Sequence, residues 1–128
     1  MTQASVFTKI INRQLPAEIV YENEEFIVIK SHQPVAPVHL LIIPKQPIAK
    51  LQDVPLSNHR FHASLVELAR QMATKHGIDD NFQLHLNCGP QVQQVQHLHL
   101  HLTGGWDKAL SAEEIDEQTA AHLKTRDQ

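Results

Sequence analysis

Ten histidines are spread through 128 residues, and three of them alternate with leucine in Gln96-His97-Leu98-His99-Leu100-His101-Leu102-Thr103, ahead of Gly104 and Gly105. In an extended chain successive side chains point to opposite faces, so His97, His99 and His101 share one face and Leu98, Leu100 and Leu102 the other. The imidazoles then stand about 6.7 Å apart along the strand. Three chemistries fit this spacing. The first is a half-buried strand whose polar face meets solvent. The second is a metal site, because neutral imidazoles bind zinc and similar ions. His97 and His101 are roughly 13 Å apart at the backbone, however, and zinc sits only about 2.0 to 2.1 Å from its ligands, so such a site needs His39 or His85 from elsewhere. The third is nucleophilic catalysis on phosphorus. One neutral imidazole attacks a phosphoryl group while its neighbours hold the non-bridging oxygens, and no metal or other cofactor is required.

The elements that must carry these side chains follow from hydrophobic period and turn residues. Phe7, Ile10 and Ile11 have the spacing of a short amphipathic helix over Ser5 to Arg13, which Pro16 stops. Glu18 to Glu22 and Phe26 to Lys30 form two strands joined by Asn23-Glu24-Glu25, a hairpin. Val38 to Ile43 is an apolar run broken only by His39 and ended by Pro44, which predicts a buried strand. Pro47 and Pro55 limit the next stretch to a turn of helix. From Ser57 to His76, Phe61, Leu65, Leu68, Ala69 and Met72 keep helical spacing, with Ser57 as the expected cap and Gly77 as the stop. Phe82 to Asn87 alternates as a strand, and Cys88 to Gln96 is a glutamine-rich loop. His85 lies two residues before Asn87 on the same strand face, with the surface its expected place. Beyond Trp106, an expected anchor for the tail or a dimer contact, Ser111 and Glu114 form a capping box for a tail helix over Ala112 to Lys124. The class is α+β, with an antiparallel sheet of about five strands, one long helix and one short one.

Length and composition bound the function. A chain of this size, 41% hydrophobic, holds one core and one domain, here residues 1–106 with a tail at 107–128. The formal net charge of -3 gives no basic footprint for a nucleic-acid polymer. The single cysteine, Cys88, excludes an intrachain disulfide, reads as structural and suits a reducing cytoplasm. No run of about 18 apolar residues indicates a membrane span.

The triad segment resembles the signature of the histidine triad family. Phe7-Thr8-Lys9-Ile10-Ile11, Leu15-Pro16-Ala17, Ile19-Val20-Tyr21-Glu22, Ala36-Pro37-Val38-His39 and Ile43-Pro44-Lys45 are similar, in order and spacing, to its Hint branch of nucleoside phosphoramidases. The resemblance covers residues 5–105. It implies a sheet continued across a homodimer and a purine nucleotide pocket on each protomer. His99 is then the nucleophile and His101 the phosphate contact. His39 and His97 hold the triad in register, Asn87 contacts the ribose-phosphate end, and Val6, Phe7, Ile10 and Ile29 fall on apolar nucleoside positions. For those four, core packing is the competing reading.

One position and one loop depart from the family pattern. Ser31 stands where this branch has an aspartate for the ribose hydroxyls, and a serine offers one hydroxyl in place of a bidentate carboxylate. The loop Gly89 to Gln96 is one residue short, with Val92 and Gln94 at positions of a glycine and a hydroxyl residue. Gln93 or Gln94 is left to donate from its amide. The expected activity is cleavage of a P–N or related bond at the α-phosphorus of a purine nucleotide through a nucleotidyl-histidine. The alternatives are a dinucleoside polyphosphate hydrolase or nucleotidyl transferase with the same chemistry, and a non-catalytic nucleotide binder.

Overall fold

In the computed structural model, which describes residues 5–107 and residue 113, five strands form one antiparallel sheet. β1 (Ile19–Glu22), β2 (Phe26–Lys30), β3 (Val38–Pro44), β4 (Phe82–Leu86) and β5 (Leu100–Gly104) lie in the order β1-β2-β3-β5-β4. The chain that enters last among the strands therefore sits inside the sheet. β5 pairs with β3, where His101 is opposite Leu41, and with β4, where His101 is opposite His85. The expected tail helix lies outside the described residues.

Alternation sorts the two faces. Phe26, Val28, Leu40, Ile42, Leu98, Leu100 and Leu102 are buried with Phe61, Leu65, Leu68, Ala69 and Met72 of α2 (His59–Lys75), each large side chain contributing about 1.5–3 kcal/mol. On the opposite face Ile27, Ile29, Leu41 and Ile43 pack under Phe7 and Ile10 of α1 (Val6–Ile11). The histidines belong to this second face. α1 is only six residues long, so it depends on its cap and its packing for stability. Ser5 caps it by accepting from the Thr8 N–H, and Glu22 ties the segment beyond it to the sheet by pairing with both Arg13 and Lys45. Hydrogen bonds from Lys45 and then Arg13 hold the Glu22 carboxyl below the usual carboxylate range.

Several boundaries differ from the sequence expectation, three of them as follows. Asn58, not Ser57, caps α2, its Oδ1 accepting from the Phe61 N–H at 3.1 Å. β1 starts at Ile19, and its register shifts between Ile19 and Tyr21. The third bears on the site: β5 starts at Leu100, so His97 and His99 precede the ladder. Ile42 is the last β3 residue to pair with β5. Pro44 has no N–H to offer Leu98, whose own N–H donates to the Ile48 carbonyl at 2.8 Å. The face alternation survives, because Leu98 is fully buried in the α2 core. At the other end of β5 only glycine fits position 104, where an added Cβ would lie 2.8 Å from Ile78 Cδ1 and 3.0 Å from the Asn81 carbonyl oxygen.

Candidate active site

The site is assembled from four histidines on one side of the sheet. His39 on β3 and His101 on β5 occupy diagonal positions of neighbouring strands, within reach of long side chains. His39 Nε2 and His101 Nδ1 are 3.0 Å apart. The His99 ring lies 5.0 Å from that of His101, centroid to centroid, and Phe7 packs edge-on against both His99 and His97. All four histidines are buried.

Hydrogen-bond partners that can only donate or only accept fix which ring nitrogen carries the proton in each neutral imidazole. The Val35 N–H donates to His39 Nδ1 at 3.2 Å, so the His39 proton sits on Nε2. His39 Nε2–H then donates to His101 Nδ1, which leaves the His101 proton on its own Nε2. His99 behaves in the opposite way. Its Nδ1 is 2.9 Å from the His97 carbonyl oxygen, a pure acceptor, so Nδ1 bears the proton and Nε2 the lone pair. Adjacent imidazoles are thereby set to opposite tasks, one with a nucleophilic Nε2 and one with a donating Nε2–H.

His97 anchors the arrangement. Its Nε2–H donates to the Pro44 carbonyl at 2.8 Å, and its Nδ1 accepts from the Ser5 and Thr8 hydroxyl groups, at 3.1 and 3.3 Å. Burial pushes its pKa below the ordinary imidazole value, against a smaller upward effect of the Pro44 hydrogen bond. A neutral ring suits both bonds. The Ser5 and Thr8 contacts were not legible beforehand: a serine ahead of an apolar helix signals a cap, but nothing local couples that cap to a residue 92 positions away.

The remaining expected residues fall into two groups. Val6, Phe7, Ile10, Ile29 and Ser31 line a cavity of about 430 Å³, together with Leu41 and a rim that includes Glu18, Lys30 and His32. Phe7, Ile10 and Ile29 are also core residues, so packing and lining coincide. Phe7 connects the cavity to the triad through its contact with His99. At the rim Ser31 Oγ accepts from the Gln33 N–H, and Lys30 pairs with Glu18 at 2.8 Å. Asn87, Gln93 and Gln94 stand outside the cavity wall. Gln93 is 2% exposed and works as a strut: its Nε2 donates to the Ala49 and Val95 carbonyls, and its Oε1 accepts from the Gly89 N–H. Gln94 is exposed. His85 departs from its expected surface position. It is half-buried, with its ring 5.9 Å from that of His101 and its Nε2 3.0 Å from Asn87 Oδ1. Among the described residues, no group of three His, Cys, Asp or Glu side chains converges to hold a metal ion.

Residues 4–114 match the family model described as "Scavenger mRNA decapping enzyme C-term binding", a HIT-like domain. The chain belongs to the histidine triad (HIT) family. A HIT-like protein of Synechocystis is 42% identical over 106 residues, which span 82% of this chain and 93% of that protein. The purine nucleoside phosphoramidase of Escherichia coli K12 is 34% identical over 107 residues, covering 82% of this chain and 90% of the enzyme. Among solved structures, a HIT family hydrolase from Clostridium thermocellum superposes with a TM-score of 0.77 at 40% identity, over 88% of this chain and 99% of the other. The five-stranded α+β architecture is that of HIT family hydrolases, and within it the histidine segment forms the buried cluster described above.

Proposed function

We propose that this HIT protein is a nucleotide hydrolase that cleaves a P–N or related bond at the α-phosphorus of a purine nucleoside monophosphate derivative. One observation carries the reading: His99 and His101 hold opposite tautomers, each fixed by groups outside the pair. His99 Nε2 attacks phosphorus, the P–N bond breaks with its electron pair going to nitrogen, and that nitrogen takes a proton from solvent to leave as the amine, the proton being returned by the water of the second step. Water then attacks the nucleotidyl-histidine, releasing the nucleoside monophosphate and restoring the His99 lone pair. His101 Nε2–H donates to a non-bridging oxygen as charge develops there. The nucleotidylated His99 ring carries a positive charge, and its Nδ1–H bond to the His97 carbonyl strengthens at that stage. His39 and His97 position these two rings. The cavity lined by Val6, Phe7, Ile10 and Ile29 takes the base, Ser31 stands at the sugar end, and Asn87 and the Gln94 side of the loop meet the phosphate.

The name of the Escherichia coli relative supports phosphoramidate cleavage over the dinucleoside polyphosphate alternative. A binder without turnover is favoured by one feature, the engagement of the Gln93 amide by the Ala49 and Val95 carbonyls. β4 is an edge strand with Leu84 exposed, which suits continuation of the sheet into a second protomer, and sedimentation at micromolar concentration tests that homodimer. Among the described residues no helix is long and apolar enough to cross a membrane; the single cysteine suits the cytoplasmic location that belongs to this proposal.

The deciding experiment is intact-protein mass spectrometry during brief incubation with adenosine phosphoramidate, beside steady-state release of AMP, for wild type and His99→Ala. Turnover that depends on His99 is expected. Turnover unchanged by His99→Ala sinks the mechanism, and a folded wild type that binds AMP but releases none from the substrate supports the binder.

A further inference from the structure

Among the described residues, His85 contacts the cluster but is not used by the proposed reaction. It stands on β4 directly opposite His101, and their rings meet edge to face at 83°. Two residues on, Asn87 lies one step past the last ladder pair, Leu86 with Leu100, on the side where His99 follows. Asn87 is buried, and its Oδ1 lies 3.0 Å from His85 Nε2. An amide oxygen only accepts, so the bond requires the proton on His85 Nε2.

This matters because an asparagine side chain has two nearly isosteric edges of opposite polarity, and rotation about its last torsion is soft. With the NH2 edge forward the group attracts a phosphate oxygen; with the carbonyl forward it repels one. We propose that His85 is a positioning residue that locks the Asn87 amide, holding Oδ1 to itself so that the NH2 edge is presented to the nucleotide phosphate. The proposal rests on the reading that a phosphate binds beside Asn87 and His99. His85 touches no reacting atom and acts through Asn87.

The test is calorimetric binding of AMP and of adenosine to wild type, His85→Gln, His85→Leu, Asn87→Ala and the His85→Leu/Asn87→Ala double variant. Glutamine retains an N–H donor near the Nε2 position, and leucine does not. We expect His85→Leu to weaken AMP about tenfold, His85→Gln to stay within about twofold, and adenosine affinity to be unchanged throughout. In the Asn87→Ala background His85→Leu should add nothing. Equal losses of AMP and adenosine, a full effect of His85→Leu without Asn87, or no AMP binding by wild type each overturn the proposal. Wild type that binds AMP but lacks His99-dependent turnover refutes the hydrolase reading and leaves this inference to the AMP-to-adenosine comparison. Independently of any variant, long-range proton–nitrogen correlation on wild type should show the His85 proton on Nε2, and a proton on Nδ1 overturns the lock.

Discussion

Replacing His39 with leucine tests the tautomer relay at its source. In the wild type the Val35 N–H holds His39 with its proton on Nε2, and that proton in turn forces the His101 proton onto Nε2. Leucine fills a similar volume but donates nothing. His101 Nδ1 then loses its donor in a buried site, and the ring can place its proton on either nitrogen. The lost contribution is one hydrogen bond to a charged phosphoryl oxygen, about 1.5–3 kcal/mol. At about 1.36 kcal/mol per tenfold in rate, kcat/KM for adenosine phosphoramidate should fall roughly 10- to 150-fold. His39→Gln keeps an N–H donor near the Nε2 position and should recover most of that loss. The assay is steady-state AMP release at pH 7.5, with thermal melting to establish that each variant is folded and nitrogen NMR to report the His101 tautomer. The relay is refuted by a folded His39→Leu protein within twofold of wild type, or by His39→Gln failing as badly as leucine while the NMR still places the His101 proton on Nε2.

Other outcomes follow from single contacts. Burial depresses the His97 pKa, so between the folded value and the unfolded value of about 6.5 the unfolded chain binds more protons. The stability that neutral His97 contributes is therefore complete above about pH 6.5 and drains away as pH falls below it. Subtracting a His97→Gln melting series from the wild-type series should show the wild-type advantage shrinking from pH 7.5 to 5.5, and a constant difference would contradict the burial argument. Gln93→Ala removes three hydrogen bonds from the loop interior and should cost about 1–3 kcal/mol in denaturant melts, with faster proteolysis between Gly89 and Gln96. An unchanged midpoint would remove Gln93 as the strut.

The alternation of histidine with leucine was legible in the sequence because a strand reads out its two faces with period two. It placed Leu98, Leu100 and Leu102 on one buried face, which the fold packs against α2, and the imidazoles on the other, even though the ladder itself begins only at Leu100. The apolar run from Val38 to Ile43, which the strand extends by one residue through Pro44, the spacing from Phe61 to Met72 and the hairpin at Asn23 are local patterns of the same kind, and each element appeared where those patterns put it. The α+β class followed from the same patterns, and the similarity of several short motifs to the histidine triad family pointed to the family. What local pattern cannot carry is the proton position on a ring. For His97 and His101 the partners that decide it, Pro44 and His39, come from other segments, whereas His99 and His39 take theirs from the His97 carbonyl and the Val35 N–H nearby in the chain, once the fold has set the backbone that presents them. The same holds for His85, whose alternation gives its face but not its depth, which depends on β4 pairing with β5. Sequence by itself determined which residue types face the site, because side-chain direction follows from the strand. Only the tertiary structure decided which ring nitrogen keeps a lone pair and which carries the proton, because an imidazole takes its tautomer from whatever the fold places 3 Å away.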